Sequence, residues 1–151
     1  MISENSLRQI SDIFCGDTSG FYSYKSGPKL VSFFNRYFNA TDRYGQGFPS
    51  RWAYVYDKLA TMLNNNRFDS FLDIVLSKEY LMQDLNISQV ESAEKSNEIL
   101  SEFNRILAQD RYKITRNKGV HHLVLENDDL VLIGSGGFAN VYRQKSTGLI
   151  V

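Results

Sequence analysis

The chain has 151 residues, 42% of them hydrophobic and 13% aromatic, enough to build a core and too apolar for a disordered tail. Seventeen basic and seventeen acidic side chains cancel, so no global field draws the protein toward nucleic acid or an anionic membrane. No apolar run reaches the roughly eighteen residues that a bilayer-spanning helix needs. The start, Met1 to Ser6, lacks the basic and apolar regions of a signal peptide. Cys15 has no second cysteine to pair with, which suits a reducing, cytoplasmic setting and reads as an inert buried thiol.

Residues 1 to about 110 read as helices with aromatic faces. Ser6 and Gln9 suggest a capping box, after which Leu7, Ile10 and Phe14 recur at helical spacing until Gly16. A polar loop follows to Gly27. Pro28 suits the first turn of a second helix with the stripe Leu30, Val31, Phe34 and Phe38. The loop from Asn39 to Pro49 holds Tyr44, Gly45, Gly47 and Phe48 and is followed by Arg51 and Trp52. It reads either as a recognition surface or as a device that orients the next helix.

Ser50 is placed to cap a third helix carrying Trp52, Val55, Tyr56, Leu59, Met62 and Leu63, which Asn64, Asn65 and Asn66 end. Phe68, Phe71, Leu72, Val75 and Leu76 mark a fourth, and Tyr80 to Leu85 a short fifth. Ser88 with Glu91 is the clearest capping box, ahead of a long helix bearing Val90, Ala93, Leu100, Phe103, Ile106 and Leu107, with Asn97 a polar interruption. Glu91 and Lys95 read as an i,i+4 ion pair. Asp69 and Asp73 share a helix face, but paired carboxylates without a pocket do not make an acid/base site.

After Asp110 the period changes to alternation. Tyr112 to Arg116, a turn at Asn117-Lys118-Gly119, and Val120 to Leu125 read as a β-hairpin. A helix followed by such a hairpin resembles the wing of winged-helix modules, and Lys113, Arg116 and Lys118 place cations around its turn. The 112–125 hairpin is therefore the one place where nucleic acid is considered as a partner. His121 and His122 are adjacent and so face opposite sides of a strand, which argues against a shared metal; no metal site is expected. Glu126 to Asp129 is an acidic turn and a candidate boundary.

Beyond it, Leu130 to Ile133 leads into Gly134-Ser135-Gly136-Gly137-Phe138-Ala139-Asn140-Val141. Glycine lets a turning backbone approach phosphate closely, and successive N–H groups there favour anions. This stretch resembles the glycine-rich nucleotide loop of protein kinases, Gly-x-Gly-x-x-Gly-x-Val, with Ala139 at the third glycine position. The resemblance, to bacterial serine/threonine-type kinases, implies that 127–151 begins a kinase amino-terminal lobe that binds ATP with Mg. By it Gly134, Ser135, Gly136, Gly137 and Phe138 cover the phosphates, Ile133 and Val141 hold the base, and Ala139 and Asn140 complete the segment.

The strand lysine and the catalytic aspartates of kinases have no counterpart in these residues. Lys145 precedes the Ser146-Thr147-Gly148 turn and is not that lysine. No phosphoryl transfer, and no catalytic residue, is expected from this stretch alone; the parent would phosphorylate a protein substrate. Gly134-x-Gly136-x-x-Ala139 also fits the dinucleotide fingerprint, which requires a helix directly after the glycines, whereas Val141 and Tyr142 favour a strand. The expected fold is α+β: a helical regulatory or sensing domain ending in a wing-like hairpin at 1–126, then antiparallel strands at 127–151. The helical part is loosely similar, with no motif to quote, to amino-terminal domains of bacterial abortive-infection and stress proteins. The rival from another class is a non-enzymatic helical or winged module that binds a protein or nucleic acid.

Overall fold

The computed structural model describes residues 1–126 in full and, as backbone strands, 130–132 and 142–144. It is an α+β protein. Six helices come first: α1 (Glu4–Cys15), α2 (Gly27–Phe38), α3 (Arg51–Asn64), α4 (Phe68–Val75), α5 (Lys78–Leu85) and α6 (Gln89–Leu107). A 3-10 turn at Ala108–Asp110 leads into the antiparallel hairpin β1 (Tyr112–Asn117) and β2 (Val120–Leu125). A second antiparallel pair joins β3 (Leu130–Leu132) to β4 (Tyr142–Gln144). No helix among the described residues is long and apolar enough to cross a membrane.

Local chemistry sets most helix ends. Ser26, Ser77 and Ser88 cap α2, α5 and α6 with side-chain oxygens, and Ser88 and Glu91 form the expected reciprocal box. The first helix differs from expectation: its cap is Ser3, whose Oγ accepts the Ser6 N–H, and Ser6 is buried inside the helix. Ser3 is held there because its own N–H donates to Asp110 across the fold at 2.8 Å. Ser50 occupies the cap position of α3 without a side-chain hydrogen bond.

Phe14 is the hub of the core. Its ring meets Tyr22, Phe33, Phe34, Phe71 and Tyr80, joining α1, α2, α4 and α5. Leu59, Ile99, Phe103, Ile106 and Leu107 bring in α3 and α6. The buried face of α6 runs through Ser92, Ser96 and Ile99, while Val90 is exposed. Small serines serve here because Ser92 and Ser96 satisfy their hydroxyls on the backbone oxygens of Gln89 and Leu76.

Inside this apolar layer lies an ion pair. Lys25 Nζ sits 3.0 Å from Asp84, with the two side chains 5% and 6% exposed. The ammonium also donates to the carbonyls of Phe14 and Ser23, both at 3.1 Å, and lies over the Phe14 and Tyr22 rings. Asp84 accepts in addition from the Ser23 N–H and Oγ, both at 2.9 Å. Burial lowers the Lys25 pKa and the Asp84 charge pulls it back up.

The loop from Gly16 to Ser26 can reach this pair only by turning back sharply at the end of α1. Gly16 adopts φ 85°, and a Cβ there would strike the backbone of Ser23. Gly16→Ala is expected to destabilise the fold by roughly 2–4 kcal/mol, combining left-handed strain with overpacking. Asp84→Ala leaves a buried ammonium without its counter-ion and is expected to lose about 3–5 kcal/mol. Urea denaturation followed by circular dichroism measures both, and a loss under about 1 kcal/mol in either would contradict this account.

Candidate functional site

The glycine segment 133–141 lies outside the described residues, and with it every residue of the expected nucleotide set, Ile133, Gly134, Ser135, Gly136, Gly137, Phe138, Ala139, Asn140 and Val141. What is described are the strands on either side. Leu130, Val131 and Leu132 pair antiparallel with Gln144, Arg143 and Tyr142, so the chain entering the segment and the chain leaving it run side by side. Residues 142–144 are strand, not helix.

The β1–β2 hairpin ahead of it is no free wing. Its turn has positive φ at Lys118 (53°) and Gly119 (81°), the twist that suits a two-residue hairpin. Both of its outer edges are occupied by helix side chains. On the β2 edge, the N–H groups of His121 and Leu123 donate to Asp73 (2.8 Å) and Asp69 (3.0 Å) of α4. Four residues of helix rise about 6 Å and two of strand about 6.6 Å, so carboxylates at i and i+4 match alternate strand amides. On the β1 edge, the Asn104 side chain of α6 accepts from the Ile114 N–H (2.7 Å) and donates to its carbonyl (3.2 Å). The side-chain amide thereby stands in for a neighbouring strand.

The two histidines separate as the strand geometry requires. His121 is 2% exposed. Its Nδ1 lies 2.9 Å from Asp73 Oδ1, and its Nε2 accepts from Arg116 Nε at 2.9 Å. Arginine only donates, so the ring proton sits on Nδ1 and is given to Asp73. With both nitrogens engaged, His121 offers no free lone pair to a metal or to a proton in transit. His122 is exposed and meets Asp69 at 3.2 Å.

Arg116 continues into α6, where it donates to Asn97 and Ser96. Of the three hairpin cations expected to face outward, Arg116 is thus turned inward, and Lys113 lies 3.9 Å from Glu126. The polar interruption at Asn97 is a docking point for the hairpin. Lys95 pairs with Glu98 at 3.0 Å rather than with Glu91, because the capping box holds the Glu91 carboxylate.

The loop before α3 is likewise tied down. Arg51 donates from Nε to the Lys25 carbonyl (2.6 Å), from Nη2 to the Cys15 carbonyl (2.7 Å) and from Nη1 to Asp17 (3.0 Å). It therefore orients α3 against the ends of α1 and α2. Tyr44 packs on Gly27 and meets Phe48 at a tilt, and Phe48 in turn meets Tyr54. Asp42 is held by Lys58, the Tyr54 hydroxyl and Asn35, and the hydrogen bonds from Lys58 and Tyr54 keep its carboxyl below the usual range. Burial pushes the Cys15 thiol up to about 12, leaving almost no thiolate near neutral pH.

One further feature had no sequence signal. Between α2 and α5 opens a cleft of about 280 Å³, lined by Lys29, Phe33, Arg36 and Tyr37 on one side and Tyr80 and Gln83 on the other. Its cations and aromatics are interleaved with core residues at helical spacing, so the sequence shows them only as an ordinary amphipathic stripe. Comparison of the chain with protein-family models, curated proteins and solved structures finds no match in any of the three.

Removing either α4 carboxylate should loosen the hairpin locally. Asp73→Ala and Asp69→Ala are each expected to weaken protection of the β2 amides by about 1–3 kcal/mol. Hydrogen exchange read at His121 and Leu123 checks this. Protection unchanged in both variants would mean that the carboxylates do not hold the strand edge.

Proposed function

We propose that this chain is the amino-terminal part of a protein serine/threonine kinase: a helical regulatory domain followed by the first strands of the ATP-binding lobe. In this reading the segment 133–141 covers the triphosphate of Mg-ATP, with Gly134 to Phe138 over the phosphates and Ile133 and Val141 against the base. The lysine that grips the phosphates and the aspartates of catalysis would come from later residues, so no transfer step belongs to this stretch.

The observation that carries the proposal is the antiparallel pairing of Leu130–Leu132 with Tyr142–Gln144 around the glycine pattern. A dinucleotide turn places a helix after its glycines and presents the helix N-terminus to pyrophosphate. A kinase-type loop joins two neighbouring antiparallel strands. Strand at Tyr142–Gln144 agrees with the second arrangement. The rival reading, a non-enzymatic winged module that grips nucleic acid through the hairpin, is weakened by the inward course of Arg116 and by the helix side chains on both hairpin edges.

In the complete protein, a non-hydrolysable ATP analogue with Mg is expected to raise the melting temperature by several degrees, as ligand in large excess over Kd adds about 2–3 kcal/mol. The double variant Gly134→Val/Gly136→Val should lose that shift while keeping its circular dichroism spectrum. A lysine is expected within about a dozen residues after Val151, followed by a glutamate-bearing helix. Absence of both the shift and the lysine would overturn the kinase reading.

A further inference from the structure

We propose that the α2–α5 cleft is a binding site for a nucleoside monophosphate, with the phosphate held by Lys29 and Arg36 and the base laid on the ring of Tyr37 against the edge of Tyr80. Its lining residues come from 25–37 and 80–84, none from the glycine segment, so the proposal stands whether or not that segment binds ATP.

The cleft is built by one face of each helix. Lys29, Ser32, Phe33, Arg36 and Tyr37 recur at the three- and four-residue spacing of one α2 face, opposite Tyr80, Gln83 and Asp84 of α5. Its apolar floor is a cluster of three rings: Phe33 lies 5.0 Å from Tyr37 and 5.5 Å from Tyr80, and the two tyrosines are 6.3 Å apart. Phe33 is buried, whereas Tyr37 and Tyr80 are half-buried and line the cleft with their planes 78° apart, so a flat group that lies on one meets the edge of the other.

Charge selects the ligand's other end. Three cations and one carboxylate line the cleft, and two of these, Lys25 and Asp84, neutralise each other at its base. Lys29 and Arg36 remain. Both are exposed, and neither makes an ion pair among the described residues. They lie two helical turns apart, about 10.5 Å along the axis, a separation that two long side chains close around one anion. Arg36 already stands 5.2 Å from the Tyr37 ring centre, placing its guanidinium beside the aromatic surface. The Ser32 hydroxyl and the Gln83 amide add polar groups at the rim.

Two cations without an ion pair beside half-buried aromatic rings, in a protein of zero net charge, favour a ligand that is anionic at one end and flat at the other. Arginine and lysine together suit phosphate, which accepts several charge-assisted hydrogen bonds. The volume of about 280 Å³ sits at the lower edge of the ~300–1,000 Å³ usual for small-ligand pockets. That is the scale of one nucleotide unit.

The test is isothermal titration calorimetry of the 151-residue chain with AMP, GMP, CMP and UMP, with adenosine and inorganic phosphate as separate arms. At least one monophosphate is expected to bind, with adenosine and phosphate each weaker by roughly tenfold or more. Lys29→Ala/Arg36→Ala should weaken that monophosphate at least about tenfold and Tyr37→Ala several-fold, all with unchanged circular dichroism. Affinity should fall as salt rises. Gly134→Val/Gly136→Val should leave it unchanged; loss of binding in that variant would place the ligand on the glycine segment and overturn the assignment. So would no binding at about 5 mM ligand, full affinity in the Lys29/Arg36 double variant, or phosphate alone binding as tightly as the nucleotides.

Discussion

A single ammonium group in the core, that of Lys25, organises the helical domain. A buried lysine is unfavourable unless its charge and its donors are all met. Here three acceptors surround Nζ: the Phe14 carbonyl in the last turn of α1, the Ser23 carbonyl and the Asp84 carboxylate of α5. One acceptor lies in α1, one in the loop after it and one far along the chain in α5, so meeting all three fixes α5 against the end of α1 and that loop. The backbone of the same residue then carries the pattern outward, since the Lys25 carbonyl accepts from Arg51, which also takes the Cys15 carbonyl and Asp17. Hydrophobic burial alone would tolerate several ways of sliding α1, α2, α3 and α5 past one another. Directional bonds at one buried point remove that freedom.

The hairpin is fixed by the same logic. A two-stranded ribbon alone is marginal in water and exposes two edges. In this fold α4 supplies carboxylates to one edge and α6 supplies an amide to the other, and the His121–Arg116 pair reaches back to Ser96 and Asn97. The Glu126 N–H closes the base of the ribbon on the Arg111 carbonyl. The end of the ribbon at Glu126 is therefore held at a fixed point of the helical domain.

Much of this was legible in the sequence. Helical stripes, the Ser88–Glu91 box, the asparagine stop after α3 and the switch to alternation after Asp110 all report local preferences, and local preferences decide element type. What escaped depends on partners distant in the chain. Ser3 rather than Ser6 caps α1 because Asp110, at the other end of the domain, holds the Ser3 amide. Asp69 and Asp73 look like an unremarkable acidic face until β2 is laid beside them. Lys25 reads as a loop lysine, with nothing nearby to announce that Asp84 waits across the fold. The α2–α5 cleft was invisible for the same reason, since its two walls are separated by two other helices. For the glycine segment the sequence remains the main witness, joined by the pairing of its flanking strands.

The positions of these features decide how a ligand could act. Asp84 sits at the base of the α2–α5 cleft and is also the counter-ion of Lys25, so the cleft wall and the core node share a residue. From α5, the elements that also touch the hairpin are α4 and α6. Of these, α4 has one face buried through Phe68, Phe71, Leu72 and Val75 and the other committed to β2 through Asp69 and Asp73. Its last turn is pinned by the Tyr22 hydroxyl on the Val75 carbonyl at 2.6 Å. Tyr22 in turn lies under the Lys25 ammonium. A ligand shifts an equilibrium only by the difference in its affinity for two arrangements. A phosphate drawn against Lys29 and Arg36 would therefore influence the hairpin only so far as it alters the seating of α5 on Lys25. That condition makes the node, rather than the cleft surface, the element on which any regulation by this domain turns.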